Sequence, residues 1–182
     1  MRWFLLVVLV SASAMAQPQA ESPNAILLIA KPELLDPNFR ETVVLVTQAV
    51  DASTVGVILN RPTAAKHSQT GETLYFGGPV MREVIVALFR AERAPDASAF
   101  AVLKGVYLTM HPQNIEPLLE QRTGNYRLYS GFSGWAPGQL ENEMQRDGWY
   151  LLPASAELVF RKDTAGMWQE LARKARARVA LR

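Results

Sequence analysis

Short runs of apolar and β-branched residues, separated by polar turns, recur along the chain after residue 24. Their pattern predicts strands at residues 25–30, 42–48, 54–59, 84–90, 100–103, 105–109, 126–129 and 149–152. The runs at 42–48 and 54–59 are joined by a short polar turn, which predicts a hairpin. The polar stretch at 64–72 predicts a loop.

Apolar residues at helical spacing are confined to the second half of the chain. Ile115, Leu118 and Leu119 predict a helix over residues 112–122. A second apolar stripe, predicting a helix over 164–181, comprises Trp168, Leu171, Ala172, Ala175 and Val179. Ser155 is a suitable cap for a short helix within 155–160. Many short strands with few helices predict one α+β domain.

Residues 131–143 combine glycines, a proline and a tryptophan with an amphipathic pattern. Glycine tolerates positive φ and proline suits a first helical turn, so we expect a strict turn that leads into a helix. Leu140 and Met144 would face the core, and Gly148 would stop the helix. The glycines of such a turn can bring backbone N–H groups close to a partner or to a neighbouring strand.

The start of the chain has the composition of a signal peptide. Arg2 precedes an apolar run at residues 4–10, and a small-x-small motif ends at Ala16. We expect cleavage after Ala16, which leaves 182 − 16 = 166 residues. A polar tether at 17–24 and a domain at 25–182 would follow. The expected location is periplasmic or secreted.

Composition narrows the classes of partner. The absence of cysteine excludes disulfides and thiolate catalysis. A formal charge of +2, from 19 basic and 17 acidic residues, predicts no nucleic-acid partner. The two histidines lack carboxylates at ligand spacing, so we expect no metal and no cofactor. Weak contact with an anionic membrane surface is possible through the basic residues Arg173, Lys174, Arg176, Arg178 and Arg182.

We expect the functional site in a cleft where strands end, because sites concentrate in the loops there. The candidate ligand-binding residues are Asn60, Arg61, Gly77, Gly78, Trp135, Gln139 and Glu143. Asn60 and Arg61 would supply polar contacts. Gly77 and Gly78 form either a backbone-amide cradle or simply a sharp turn. The leading hypothesis is a non-enzymatic, exported binding or regulatory domain in which the tryptophans belong to the core.

Two alternatives remain open. The first is a small hydrolase that uses Ser133 or a water held by Glu143, because Ser133 lies in half of a nucleophile-elbow pattern. That enzyme needs a base, and spacing places neither His67 nor His111 near Ser133. The second is a purely structural, partner-binding domain, which would expose an apolar patch and lack a closed pocket.

Several segments, taken in order, resemble the AlgH/YqgE family. They are residues 30–32 (AKP), 36–39 (DPNF), 42–44 (TVV), 56–62 (GVILNRP), 75–80 (YFGGPV) and 131–143, followed by Trp149, Phe160 and Trp168. The resemblance implies a single α+β domain whose bifurcated sheet folds into a pseudo-barrel with helices outside. It also implies a link to transcriptional regulation without a recognisable DNA-reading motif. A transcription-linked role is therefore the alternative if the chain is not exported.

Overall fold

The computed structural model describes residues 25–121 and 124–180. The strands are β1 (Ile26–Ala30), β2 (Val43–Gln48), β3 (Thr54–Ile58), β4 (Pro62–Lys66), β5 (Thr73–Phe76), β6 (Val80–Arg90), β7 (Phe100–Leu103), β8 (Val106–Thr109), β9 (Tyr126–Trp135) and β10 (Trp149–Pro153). The helices are α1 (Pro112–Gln121), α2 (Gln139–Gln145), α3 (Ala156–Val159) and α4 (Met167–Ala180). The predicted signal peptide and tether, with Arg122 and Arg182, lie outside the described residues.

Strand β9 joins the two halves of the sheet. Near its end, Trp135 pairs with Thr54 of β3 in antiparallel register. Its first half lies between β6, which is antiparallel to it, and β5, which is parallel to it. The sheet therefore divides at β9, and the α+β class is confirmed. It does not close into a barrel, because among the described strands the order β10-β1-β2-β3-β9-β6-β8-β7 ends in two strands that do not pair with each other.

The central strands are buried on both faces. On β1, Leu27 and Ile29 pack into one core cluster and Leu28 into another, and β2 alternates in the same way. This double burial explains why these strands read as continuous apolar runs. Helix α4 covers the first cluster with Met167, Leu171 and Ala175. The predicted stripe was wrong at Val179, which is 62% exposed.

The strict turn predicted from residue 131 onward was also wrong in its position, because β9 continues to Trp135. Gly131, Ser133 and Trp135 are buried, while Phe132 and Gly134 between them are less so, which is the period of a strand. Gly131 lies within β9 with a φ of 69°. Its backbone is in close contact with the start of β6, where a side chain at residue 131 would have no room. The turn is limited to 136–138, and α2 then begins as expected.

Two further differences concern polar strands. Residues 64–66, predicted as the start of a loop, belong to β4, and β6 begins at Val80 rather than at residue 84. The side chains of β4 are mostly exposed, and the strand pairs with β5 alone. Its sequence therefore lacks the apolar alternation that would indicate a strand. Helix α1 passes through Pro117 without a later start.

Candidate functional site

Glu143 of α2 links two buried indole rings. Its Oε2 accepts hydrogen bonds from the Nε1 atoms of Trp135 and Trp149, each at 3.1 Å. Gln139 Nε2 approaches Glu143 Oε1 at 3.4 Å. Phe39 stacks on Trp135 with ring centroids 5.5 Å apart. Trp135 and Trp149 are 3% and 4% exposed, so their interpretation as core residues is confirmed.

Gly77 and Gly78 allow two backbone segments to touch. Gly77 donates its N–H to Ser130 O at 3.0 Å, and its own carbonyl accepts from Ile58 N at 3.0 Å. Gly78 has a φ of 152°, and a Cβ atom there would overlap the Phe132 carbonyl. The Gly77 amide is thus already used by the sheet, which favours the sharp-turn interpretation over an amide cradle.

The candidate residues fall into separate groups. Gly77 bonds Ile58 at one end of β3, whereas Trp135 pairs with Thr54 at the other end. Four residues of extended strand separate those ends by about 13 Å. Gln139 and Glu143 lie with Trp135 in the indole cluster. Asn60 and Arg61 lie beside a third feature, a cavity.

The Ser133 hydroxyl is not accessible to solvent, and neither His67 nor His111 is placed to act as its general base. Its side chain is fully buried, and its Oγ donates to Gly77 O at 2.9 Å. The Nδ1 atoms of His67 and His111 contact residues only three and two positions away in their own turns. A serine nucleophile needs a histidine or an equivalent base within hydrogen-bond reach. This geometry argues against the serine mechanism.

A cavity of about 520 Å³ opens between residues 37–41 and the start of α4. It is lined by Pro37, Arg40, Glu41, Asn60, Arg61, Thr164, Ala165, Gly166, Trp168 and Gln169. Its volume lies within the range of about 300–1,000 Å³ that is usual for small-molecule sites. Of the predicted candidates, Asn60 and Arg61 contribute to this cavity.

Asn60 fixes one wall of the cavity. Its Oδ1 accepts from Val43 N at 2.9 Å, and its Nδ2 donates to Glu41 O at 2.9 Å. Glu41 has a φ of 57°, a conformation that is uncommon outside glycine and clusters at functional sites. The amide of Asn60 therefore holds a strained residue at the cavity wall.

Arg61 supports the same wall from behind. Its guanidinium donates to the carbonyl oxygens of Asn38 and Arg40, the latter at 2.8 Å. Burial lowers the pKa of Arg61, and the neighbouring Arg40 lowers it further. The guanidinium nonetheless stays charged, because an arginine is not deprotonated in proteins. Arg61 thus orders residues 38–40 and adds positive potential to the cavity.

The opposite wall is the uncapped start of α4. Met167 N bonds Thr164 O at 3.2 Å and Glu170 N bonds Gly166 O at 3.0 Å, but the N–H groups of Trp168 and Gln169 bond no described residue. Thr164, which precedes the helix, lines the cavity and is 8% exposed. A helix start with free N–H groups favours negative charge.

Arg40 supplies a cation that the described chain leaves unpaired. Its side chain is exposed at the cavity and takes part in neither of the described ion pairs, Lys31–Asp147 and Arg161–Glu170. Arg40, Glu41 and Gln169 could not be recognised as site residues from the sequence, because only the fold brings the 37–41 loop to α4. Thr164, at the start of the predicted last helix, was the one local signal.

Of the basic residues predicted on the last helix, those that the structure describes are exposed on the surface of α4. Its exposed cations are Arg173, Lys174, Arg176 and Arg178, and none takes part in a described ion pair. The acidic residue of this helix, Glu170, is engaged by Arg161 at 2.6 Å. Within residues 25–121 and 124–180, every helix is too short or too polar to cross a bilayer.

The sheet that divides at β9 and the helices packed on it make this protein a single α+β domain, and its family can be identified by comparison. A family model described as AlgH-like (DUF179) matches residues 27–180, and the chain belongs to this family. A UPF0301 protein of Rhodococcus jostii strain RHA1 is 33% identical over 165 residues, covering 81% of this chain and 80% of the relative. A UPF0301 protein of Mycobacteroides abscessus is 31% identical over 177 residues, covering 88% and 83%.

Solved structures agree on the fold. The solution structure of the AlgH protein from Pseudomonas aeruginosa matches with a TM-score of 0.67 at 22% identity, covering 87% of this chain and 92% of that one. A crystal structure of a Corynebacterium diphtheriae protein matches with a TM-score of 0.65, also at 22% identity. Similarity at this identity establishes the shared fold alone, so function has to be argued from the residues of this chain.

Proposed function

We propose that this protein is a non-enzymatic binding domain that holds a small, hydroxylated organic phosphate in the cavity between residues 37–41 and α4. The observation that carries the proposal is the convergence of the unpaired Arg40 with the free N–H groups of Trp168 and Gln169. Both walls of the cavity offer positive charge and hydrogen-bond donors to one ligand group.

The phosphate would lie against the start of α4. Its oxygens can accept from the N–H groups of Trp168 and Gln169 and from the Thr164 hydroxyl. Arg40 would close the site from the loop with charge-assisted hydrogen bonds, which are stronger than neutral ones. Arg61 would act as a positioning residue, since its donors already hold the loop carbonyls.

Glu41 would determine which chemical groups the ligand carries away from its phosphate. A carboxylate in the same cavity repels a second phosphate but accepts hydrogen bonds from hydroxyl groups. The Gln169 side chain offers both a donor and an acceptor nearby. This combination favours one phosphate joined to a polyol or sugar over a nucleoside polyphosphate.

Export remains part of the proposal. The composition of residues 1–16 favours a signal peptide, so the ligand would be met outside the cytoplasm. The exposed cations of α4 would add a weak contact with anionic membrane surfaces. Intact mass in fractionated cells tests export: a chain that begins at Gln17 in a periplasmic or secreted fraction supports it, and a full-length cytoplasmic chain overturns it.

Calorimetric titration of the full chain tests the binding claim. We expect glycerol 3-phosphate to bind and glycerol, which lacks the phosphate, to give no binding heat. Arg40→Gln should weaken glycerol 3-phosphate binding about tenfold or more, because one charge-assisted hydrogen bond contributes about 1.5–3 kcal/mol.

The matched control is Arg93→Gln, which removes an exposed arginine that does not line this cavity. It should bind like the wild type. Equal binding by the Arg40 and Arg93 variants would contradict the assignment, and so would the absence of heat with glycerol 3-phosphate.

A further inference from the structure

Arg127 of β9 is a buried cation that lines a second cavity. The residue is 8% exposed, and its guanidinium lies over the Tyr75 ring, 4.5 Å from the centroid. The cavity has a volume of about 210 Å³ and is lined in part by Tyr75, Tyr126, Phe160 and Arg127 itself. It involves none of the residues that line the first cavity.

The charge of Arg127 is not balanced by a carboxylate of the described chain. Its Nη1 donates to Val159 O at 3.3 Å and its Nη2 to Arg161 O at 2.6 Å. Neither of the described ion pairs includes it. Buried charges in proteins are normally paired, because desolvation penalises an isolated ion strongly. A guanidinium also has more donors than these two carbonyls occupy.

Two charged residues at the same cavity offset each other. Lys162 is exposed and Glu72 is half-buried, and both line the cavity. Their opposite charges leave Arg127 as the net positive charge among the residues that line the cavity. That charge suits a monoanion better than a dianion, which Glu72 would repel.

The remaining walls suit an apolar or aromatic body. Tyr75, Tyr126 and Phe160 present rings, and Leu128 adds an aliphatic surface. An apolar cavity of about 150 Å³ is large enough for benzene, so one ring with one carboxylate matches the available space. The planar guanidinium pairs with a carboxylate through two parallel hydrogen bonds.

We propose that this cavity is a binding site for a small aromatic carboxylate, with the carboxylate on Arg127 and the ring against Tyr75 and Phe160. The site is separate from the proposed phosphate site. A ligand here would also stabilise the link between β9 and residues 159–161, which Arg127 already bridges.

Titration of the full chain with benzoate and with benzamide tests the site, because the two probes differ in charge while sharing a ring. Benzoate should bind about tenfold tighter than benzamide or better. Arg127→Lys should remove most of that preference, since lysine cannot form the forked pair. Arg93→Lys, at an exposed arginine outside the cavity, should leave it unchanged.

A second measurement does not depend on whether the Arg127 variant folds. In the wild-type chain, benzoate protons should give intermolecular NOEs to the rings of Tyr75 and Phe160, and glycerol 3-phosphate should not displace it. Equal affinity for benzoate and benzamide would overturn the proposal. So would NOEs to Trp168, or displacement by glycerol 3-phosphate, because each would assign benzoate to the first cavity.

Discussion

The Glu143 carboxylate accepts the indole N–H of Trp135 at 3.1 Å, and the same Oε2 accepts that of Trp149 at 3.1 Å. One residue of α2 thereby satisfies two buried donors, one from β9 and one from β10. These strands lie on opposite sides of β1–β3 in the sheet order. Glu143 therefore connects the middle of the sheet to its edge.

Glu143→Ala should destabilise the protein by about 2–3 kcal/mol, because it leaves two buried indole N–H groups without an acceptor. Urea unfolding followed by tryptophan fluorescence measures this change. Glu141→Ala is the matched control, since Glu141 is exposed on the same helix. The control should cost about 0.5 kcal/mol or less. Equal losses in the two variants would show that the indole hydrogen bonds do not contribute to stability.

Gly78→Ala should cost about 3 kcal/mol or more. The added Cβ would overlap the Phe132 carbonyl and the Ser133 hydroxyl, and the φ of 152° is itself unfavourable for alanine. Gly71→Ala shares a positive φ but has open space around it, so strain alone should cost about 1 kcal/mol. Thermal unfolding compares the two variants. A smaller loss at position 78 than at position 71 would contradict the close approach.

Stability should fall between about pH 10 and pH 12 because of Tyr129. Burial raises the pKa of Tyr129 to about 12, although the Arg127 charge acts in the opposite direction. The folded state therefore holds this proton to higher pH than the unfolded state. Its contribution is complete below pH 10 and is lost as the pH rises toward 12, a change of about 3 kcal/mol.

Urea unfolding at pH 8 and pH 11 measures about half of this change, because pH 11 lies midway between the unfolded and folded pKa values. Tyr129→Phe lacks the ionisable hydroxyl, so it should lose less stability over the same interval. Parallel losses in the wild type and the variant would assign the alkaline sensitivity to other groups.

The basic surface of α4 should bind vesicles that contain anionic lipid at low salt. Neutralising Arg173, Arg176 and Arg178 together should reduce this binding about tenfold or more, since each basic residue contributes about 1 kcal/mol near such a surface. Vesicle sedimentation measures the effect, and Arg93→Gln is the single-charge control. Equal binding to purely zwitterionic vesicles would contradict an electrostatic contact.

The core strands were predictable from the sequence, whereas the division of the sheet was implied only by the family resemblance. β1, β2 and β3 are buried on both faces, so their apolar runs were unambiguous. β4 was missed because its side chains are exposed and only its backbone pairs. The second half of β9 was missed because glycine and serine favour turns locally, while burial of Ser133 and Trp135 alternates as in a strand.

The candidate site was less predictable than the fold. Asn60 and Arg61 were identified because polar residues follow a strand, and both line a cavity. Trp135 lies at the end of β9 rather than in the predicted turn, and its polar atom, with those of Gln139 and Glu143, bonds within this group. The residues next to Arg40 and Arg127 in the sequence do not indicate a binding site. Loop packing places Arg40 at its cavity, and strand pairing places Arg127 at the other.

The most direct test of the phosphate proposal is a ¹H–¹⁵N NMR titration of the full chain with glycerol 3-phosphate. The amide signals of Trp168 and Gln169 should shift toward the positions typical of hydrogen-bonded N–H groups, because these two amides are free at the start of α4. Arg40→Gln should need a higher ligand concentration for the same shifts. Signals of Trp168 and Gln169 that stay unmoved throughout the wild-type titration would contradict the proposed site.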